Sequence, residues 1–180
     1  MDLIVKKLPK TKYKYHELHY TYSSDELYVC EDNSSKDSFS FSFTRKKRDE
    51  KYFHNSYDIL FDDVWKNVSC YGVFQKDDEV PIAYLELARE EWNDRIRITN
   101  LLVKQEHRGK GVGSLLMKKA KEIAKKEDRR IITLETQTCN TPAIDFYLHH
   151  GFVFSGTNLY FYSNIDKSYD EIMVEMAFLY

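Results

Sequence analysis

The chain has 180 residues, enough for one domain with a substantial hydrophobic core. Its 27 basic and 29 acidic side chains nearly cancel, which argues against a general affinity for nucleic acid or membrane surfaces. No apolar run approaches the roughly 18 residues that a membrane-spanning helix needs, and no secretory signal is visible. Three widely spaced cysteines form no Cys/His pattern, so we expect reduced thiols, no metal site and a cytoplasmic location.

The first half of the chain reads mainly as strands and turns. Residues 2–8 predict a short strand, and residues 10–50 are hard to assign, although alternating aromatic and polar residues favour strands there. Residues 57–66 place apolar side chains at helical spacing and predict a weakly amphipathic helix. Polar turns then separate three strands that predict an antiparallel meander, at 68–74, 80–88 and 95–103.

The second half alternates between helices and strands. An apolar stripe with lysines opposite predicts a helix over 112–127. Thr141 is expected to cap a later helix that has Pro142 at its first position and ends before Gly151. The remaining predicted elements are a strand at 131–136, a hairpin over 152–162 and a closing strand at 172–179. This order predicts an α+β, mixed α/β fold without an internal linker.

A glycine-rich turn, Arg108-Gly-Lys-Gly-Val-Gly113, lies between a predicted strand and a predicted helix. Glycine has no Cβ and tolerates a positive φ, so backbone N–H groups at such a turn can approach an anion closely. The first N–H groups of the next helix lack partners within the helix, and its dipole is positive at that end. The turn therefore predicts a phosphate site, to which Arg108 and Lys110 add charge and Ser114 a hydroxyl.

Other interpretations of this turn fit less well. A P-loop has a lysine and a serine or threonine after its last glycine, whereas Lys110 lies between glycines. A dinucleotide fingerprint has G-x-G-x-x-G near the first strand, whereas this turn has G-x-G-x-G late in the chain. A glycine-rich helix start that binds nothing is the remaining alternative, and the coincidence of three glycines with two cations disfavours it.

Residues 101–116 and a second motif over 134–152 resemble the acetyl-CoA-binding motifs of the GCN5-related N-acetyltransferases, the GNAT superfamily. The second motif comprises Leu134-Glu-Thr-Gln, Asn140, Ala143, Phe146-Tyr147 and Gly151-Phe152. The resemblance implies a central, mostly antiparallel twisted sheet, splayed at the acetyl-CoA site and flanked by helices. It implies a single N-acetyltransferase domain over 1–180, with an acetyl-CoA-binding core at about 95–155, and acetyl-CoA as co-substrate without a metal.

The resemblance also assigns residues to acetyl-CoA. Leu102 and Val103 would offer backbone groups to the pantetheine arm, and Asn140 and Ala143 would flank the arm and its thiol. The pyrophosphate would be held by Arg108, Gly109, Lys110, Gly111, Val112, Gly113 and Ser114. Tyr147 would contact the cofactor and protonate the departing thiolate, a role that suits a phenol with a pKa near 10.

Attack by an amine in a ternary complex also needs a base, for which Glu86 is the candidate. Glu90, Glu91 and Glu135 are alternatives near the end of the sheet that we expect to be open. Cys139 lies close to the second motif, but no neighbour in the sequence would activate its thiolate, so a covalent mechanism is disfavoured.

Within the superfamily, the second motif and Trp92-Asn93 are most similar to streptothricin acetyltransferases, which acetylate the β-lysine part of those antibiotics. That subgroup usually has Ile-Glu-Asp where this chain has Ile98-Thr99-Asn100, so two acids that could bind a cationic acceptor are absent. The resemblance implies acceptor contacts from Trp92, Asn100 and Glu135, and a role in antibiotic resistance.

Three functions stay open at this point. The first is N-acetylation of a small-molecule amine, with a streptothricin-type antibiotic as one candidate acceptor. The second is N-acetylation of a protein or peptide, and the third is a non-catalytic module that binds acyl-CoA. No nucleic-acid or membrane partner is expected, and the chain would act as a monomer or homodimer.

Overall fold

The computed structural model describes residues 2–162 and 171–180. The chain divides into two compact units: Met1–Thr21, Asn55–Leu134 and Ala177–Tyr180 form the first, and Tyr22–His54 and Glu135–Met176 form the second. The strands are β1 (Leu3–Leu8), β2 (Glu17–Asp32), β3 (Phe41–Ile59), β4 (Ser69–Gln75), β5 (Ala83–Glu90), β6 (Arg95–Val103), β7 (Ile131–Gln137), β8 (Val153–Asn158) and β9 (Met173–Leu179). The helices are α1 (Lys10–Tyr13), α2 (Val112–Lys126) and α3 (Thr141–His149).

The first unit is built on a sheet with strand order β1-β4-β5-β6-β7. Its first three strand pairs are antiparallel, and β6 pairs with β7 in parallel. A parallel pair needs a crossover, and α2 provides it while packing on β4, β5 and β6. This mixed, mostly antiparallel sheet with flanking helices confirms the predicted fold class.

Helix α2 forms where the apolar stripe predicts it. Its buried side chains are Val112, Leu116, Met117, Ala120, Ile123 and Ala124, all on the face that packs on the sheet. Gly111 precedes the helix in the left-handed region, with φ 77°. The predicted meander is also correct, because β4, β5 and β6 lie within two or three residues of their predicted bounds.

The predicted helix at 57–66 is wrong. Residues up to Ile59 belong to β3, and turns follow. Leu60 and Phe61 are buried in a core cluster that also contains Leu8 and Leu18. These apolar residues are at helical spacing by coincidence, because tertiary packing determines their position rather than local periodicity.

Strands β2 and β3 form a separate two-stranded ribbon that spans much of the segment left unassigned by the sequence. In the first unit, Leu18 of β2 contributes to the core. In the second unit, Arg45 of β3 forms a bidentate ion pair with Asp145 of α3, at 2.7 and 2.9 Å, and also contacts Glu26. The ribbon is therefore packed into each unit by its own side chains.

In the second unit the strand order is β7-β9-β8. Two local predictions fail there. The side chain of Asn140, not of Thr141, caps α3, and it accepts a hydrogen bond from the Ala143 N–H at 3.3 Å. The predicted hairpin over 152–162 contains only β8, because residues 159–162 form a turn. No described helix is long and apolar enough to cross a membrane.

Candidate active site

The glycine turn of the first unit has the geometry of an anion site. Gly109 and Gly111 have φ values of 70° and 77°, which side chains with a Cβ rarely adopt. A Cβ added to either glycine would meet no atom within 4 Å, so the space in front of both is open. The Leu115 N–H donates to the Gly111 carbonyl at 3.3 Å, where α2 begins. The N–H groups of the first turn of a helix in general point toward the space in front of it.

The two cations of the turn are held by backbone carbonyls. Arg108 donates from Nε to the Val103 carbonyl at 3.0 Å and from an Nη to the Thr21 carbonyl at 2.7 Å. Lys110 donates to the Glu106 carbonyl at 2.8 Å. Arg108 therefore links the turn to the end of β6 and to β2, and its positive charge is fixed beside the helix start.

Strand β6 is paired differently along its length. Its parallel register with β7 covers only Arg95 to Ile98, whereas its antiparallel register with β5 continues to Val103. A bulge interrupts the second register, because Glu86 pairs with Asn100 while Leu87 pairs with Ile98, so that Thr99 is an extra residue. The segment 100–103, which leads to the glycine turn, is therefore paired with β5, whereas the pairing of β6 with β7 ends before it.

The bulge is held by the carboxylate of Glu86, whose side chain is 0% exposed. Its Oε2 accepts from the Thr99 hydroxyl at 2.7 Å and the Asn100 amide at 2.9 Å. Its Oε1 accepts from the Phe61 N–H at 2.6 Å and the Cys70 thiol at 3.2 Å. Burial and the nearby Glu86 charge raise the pKa of Cys70 above its usual range. Four donors therefore surround one buried carboxylate.

Asn100 extends this network toward solvent. Its Oδ1 accepts from the Tyr20 hydroxyl at 2.7 Å. Partial burial raises the pKa of Asp58, and the charge of Glu86 adds to that effect. Asp58 and Tyr20 lie on the ribbon, so the sequence predicted neither of them. The aromatic–polar alternation indicated strands there but not which side chains would meet.

Three other predicted residues of the first unit occupy different settings. Trp92 is 84% exposed in a short 3₁₀ turn, Glu91–Asn93. Burial acts to raise the pKa of Glu90, but its ion pairs with two arginines outweigh that and lower it. A hydrogen bond from Arg129 lowers the pKa of Glu91. Both glutamates are thus stabilised in their charged forms, which makes them weak bases.

In the second unit, Asn140 and Ala143 meet at the start of α3 through the cap described above. Tyr147 lies one turn further on and is 9% exposed. Its ring packs against Phe146 and Phe152, with centroids 5.6 and 6.0 Å away. Burial raises the pKa of Tyr147 to about 12, so its hydroxyl is protonated at neutral pH. Protonation is the state that a general acid requires.

Separate polar contacts occur elsewhere in this unit, one of them at the predicted acceptor residue Glu135. Its Oε1 accepts from the Tyr162 hydroxyl at 2.5 Å. Glu171 accepts a short hydrogen bond from Tyr52. The buried Cys139 thiol lies 3.3 Å from the Tyr22 hydroxyl, and burial raises its pKa, so a reactive thiolate is disfavoured. Within residues 2–162 and 171–180 no group of His, Cys, Asp and Glu side chains could hold a metal ion.

Comparison with known proteins gives both a family and related enzymes. The sequence model of the acetyltransferase (GNAT) family matches residues 18–152. Streptothricin acetyltransferase of Escherichia coli is 39% identical over 104 residues, which span 58% of this chain and 58% of that protein. Streptothricin acetyltransferase A of Bacillus subtilis (strain 168) is 38% identical over 76 residues, which span 42% of this chain and 44% of that protein. The chain thus spans about half the length of these two curated relatives.

Solved structures extend the likeness to the whole chain. The crystal structure of nourseothricin acetyltransferase has a TM-score of 0.78 at 22% identity and covers 98% of both chains. A Bacillus anthracis str. Ames protein solved in complex with acetyl coenzyme A has a TM-score of 0.72 at 20% identity. It covers 99% of this chain and 100% of its own. At these identities the comparison establishes the fold.

Proposed function

Because the chain belongs to the acetyltransferase (GNAT) family, we propose that it transfers the acetyl group of acetyl-CoA to a primary amine of a small molecule. The observation that carries this proposal is the turn at 108–113. Its two left-handed glycines lie in open space immediately before α2, at the end of a strand whose parallel register has stopped. The backbone N–H groups of such a turn suit a pyrophosphate.

The donor side of the proposed reaction uses the predicted acetyl-CoA residues. Arg108 ties the end of β6 to the turn through its hydrogen bond to the Val103 carbonyl, and in this proposal Leu102 and Val103 offer backbone groups to the pantetheine arm. Acetyl-CoA bound to the Bacillus anthracis structural neighbour supports the same co-substrate here. In this proposal Tyr147 donates the proton that the thiolate takes up as it leaves, because burial keeps its hydroxyl protonated.

The acceptor side uses the carboxylate network of the first unit. The sequence lacks acids at Thr99 and Asn100, yet the side chains of both residues bind Glu86 from the neighbouring strand. A negative charge is therefore present beside these positions although neither residue carries one. Glu86 stays a candidate base, but its four donors occupy the lone pairs that a base needs. Asp58 has a raised pKa and is the second candidate to accept the amine proton.

Thiol release with a panel of amines tests the proposed function. Purified protein is mixed with acetyl-CoA and one acceptor, and liberated CoA thiol is measured with a chromogenic disulfide. A streptothricin is the first acceptor to test, since the curated relatives bear that name. The panel continues with aminoglycosides, polyamines and lysine peptides.

The outcomes separate the three functions left open by the sequence. We expect rapid thiol release with at least one small amine. Release with peptides alone would favour a protein or peptide N-acetyltransferase. Binding of acetyl-CoA in calorimetry without release on any acceptor would favour a non-catalytic module and would contradict the proposal.

A further inference from the structure

The start of helix α3 is fixed on strand β2 by two contacts within the second unit. The Tyr28 N–H donates to the Thr138 carbonyl at 3.0 Å, just before the helix. The Ser24 hydroxyl lies 2.5 Å from the Thr141 hydroxyl, and both of these side chains are buried. Either hydroxyl can donate to the other, so the pair satisfies two buried polar groups at once. These contacts hold the first turn of α3, where the residues expected to flank the pantetheine arm lie.

The middle of α3 is held by the Arg45 guanidinium of β3. Its two Nη atoms donate to the two carboxylate oxygens of Asp145 at 2.7 and 2.9 Å, and its Nε donates to Glu26 of β2 at 2.8 Å. Its Cζ also lies 5.9 Å from the Tyr28 ring centroid. Arg45 is thus bound to both strands of the ribbon and to the helix. Bidentate arginine–carboxylate pairs of this kind fix the geometry of the two partners as well as adding energy.

Tyr147, the proposed acid, lies on the same short helix beyond this ion pair. The helix has nine residues, and isolated helices shorter than about 12 residues are marginal in water. The orientation of α3 therefore depends on its contacts with other elements. Tyr147 follows Asp145 by two residues, which corresponds to a rotation of about 200° around the helix axis. Arg45 therefore acts on the face of α3 that is nearly opposite to the phenol.

We propose that Arg45 is a positioning residue, which keeps the Tyr147 hydroxyl in place for proton donation to the departing thiolate. This inference rests on the proposed function. As the C–S bond of the thioester breaks, the sulfur keeps the bonding electron pair and takes the phenol proton, so the hydroxyl must lie within hydrogen-bond reach of the sulfur. A displacement of about 1 Å can lower such a rate roughly 100-fold. Because β2 holds the first turn of α3 separately, loss of Arg45 should disturb the acid more than acetyl-CoA binding.

Steady-state kinetics of the full chain separate these two effects, with acetyl-CoA and the panel amine that releases thiol fastest. Arg45→Gln should lower kcat roughly 10- to 100-fold, with the KM for acetyl-CoA within about twofold of wild type. Arg45→Lys keeps the charge but not the bidentate pair, so its kcat should lie between the two. Lys46→Gln is the matched control, because Lys46 is the next residue on β3 and pairs with Glu31 of β2. We expect its kcat to stay within about twofold of wild type.

A Tyr147→Phe background shows whether Arg45 acts through the phenol. Two substitutions that remove the same effect are not additive, so Arg45→Gln should change the kcat of the Tyr147→Phe protein by less than about twofold. A merely structural role of Arg45 would give the same fold loss in both backgrounds.

Amide hydrogen exchange measures the position of α3 without any activity. Loss of a charge-assisted pair should speed exchange over residues 145–149 roughly 10-fold in Arg45→Gln. In Lys46→Gln the exchange rates should stay within about twofold of wild type. Asp145→Asn removes the same ion pair from the helix side, so it serves as the second variant if thermal melting shows that Arg45→Gln does not fold.

Four results would overturn the inference: an unchanged kcat in Arg45→Gln, an equal loss in Lys46→Gln, the same fold loss in the Tyr147→Phe background, or unchanged exchange over α3. A failure of the proposed function is distinguishable from these. In that case no amine would release thiol with the wild type, while hydrogen exchange would still show whether Arg45 fixes α3.

Discussion

Replacement of Glu86 by glutamine is a sharp test of the network that holds the β6 bulge. Glutamine keeps one oxygen, which can still accept two of the four donors, and replaces the other oxygen with an NH₂ group. The NH₂ group is itself a donor, and it would lie against two other donors that now share the carboxylate oxygen at that place. If the NH₂ lies on the side of Oε2, it meets the Thr99 hydroxyl, which can rotate, and the Asn100 amide, which is also held by Tyr20.

The expected cost follows from these contacts. Hydrogen bonds to a charged group contribute about 1.5–3 kcal/mol each, so two lost bonds amount to roughly 3–6 kcal/mol. Removal of a buried charge offsets part of this, because a charge is expensive to desolvate. We expect Glu86→Gln to lower the free energy of unfolding by roughly 2–4 kcal/mol. The Phe61 backbone has a φ of 56°, which is unfavourable for a residue with a side chain, and its N–H is held there by Glu86. Weakening that hydrogen bond adds to the cost of the substitution.

Urea unfolding followed by tryptophan fluorescence is a suitable assay, because Trp65 and Trp92 both lie in the first unit with Glu86. Glu122→Gln is the control. It removes an exposed carboxylate of the same unit that pairs with Lys119 on α2, and its effect should stay within about 0.5 kcal/mol. A change below about 1 kcal/mol in Glu86→Gln would refute the view that this carboxylate anchors the bulge.

Three further predictions concern the turn, the proposed acid and the sheet. Gly111→Ala should cost about 1–2 kcal/mol of stability because of its positive φ and should weaken acetyl-CoA binding in calorimetry, whereas Gly156→Ala, also in open space, should do neither. Tyr147→Phe should lower kcat roughly 100-fold or more in steady-state assays, with unchanged acetyl-CoA affinity. Because the pKa of Tyr147 is raised to about 12, kcat of the wild type should show no alkaline loss from this group below about pH 11. Gly72→Ala would place a Cβ 3.0 Å from the Pro81 Cβ, and we expect overpacking to cost about 1–3 kcal/mol in urea unfolding. Unchanged stability would contradict this close approach of β4 to Pro81.

The parts of the fold that the sequence predicted well depend on local signals. The stripe of α2, the short strands β4 to β6 and the glycine turn each lie within one segment, where periodicity and backbone conformation determine the structure. The failed helix at 57–66 lies where Leu60 and Phe61 are instead positioned by distant core residues. The misplaced cap of α3 differs by one residue, since both Asn140 and Thr141 can cap a helix.

The candidate site was predicted unevenly for a related reason. The acetyl-CoA turn is contiguous, so its residues could be named from the sequence. The donors of Glu86 come from positions 61, 70, 99 and 100. The strand register brings 70, 99 and 100 beside Glu86, and the turn after β3 brings 61. Tyr20, Tyr22, Tyr52 and Asp58 lie on a ribbon that the sequence could not align, because strand pairing over such a length has no local signature.

The β2–β3 ribbon has a consequence for how this protein can change over time. Asp58, the second candidate to accept the amine proton, lies on it, whereas the glycine turn and α2 are encoded later in the chain. Substitutions on the ribbon can therefore alter which amine is chosen while the use of acetyl-CoA is inherited intact. A library confined to residues 17–59, selected with different amines, would sample new acceptors without loss of the donor site.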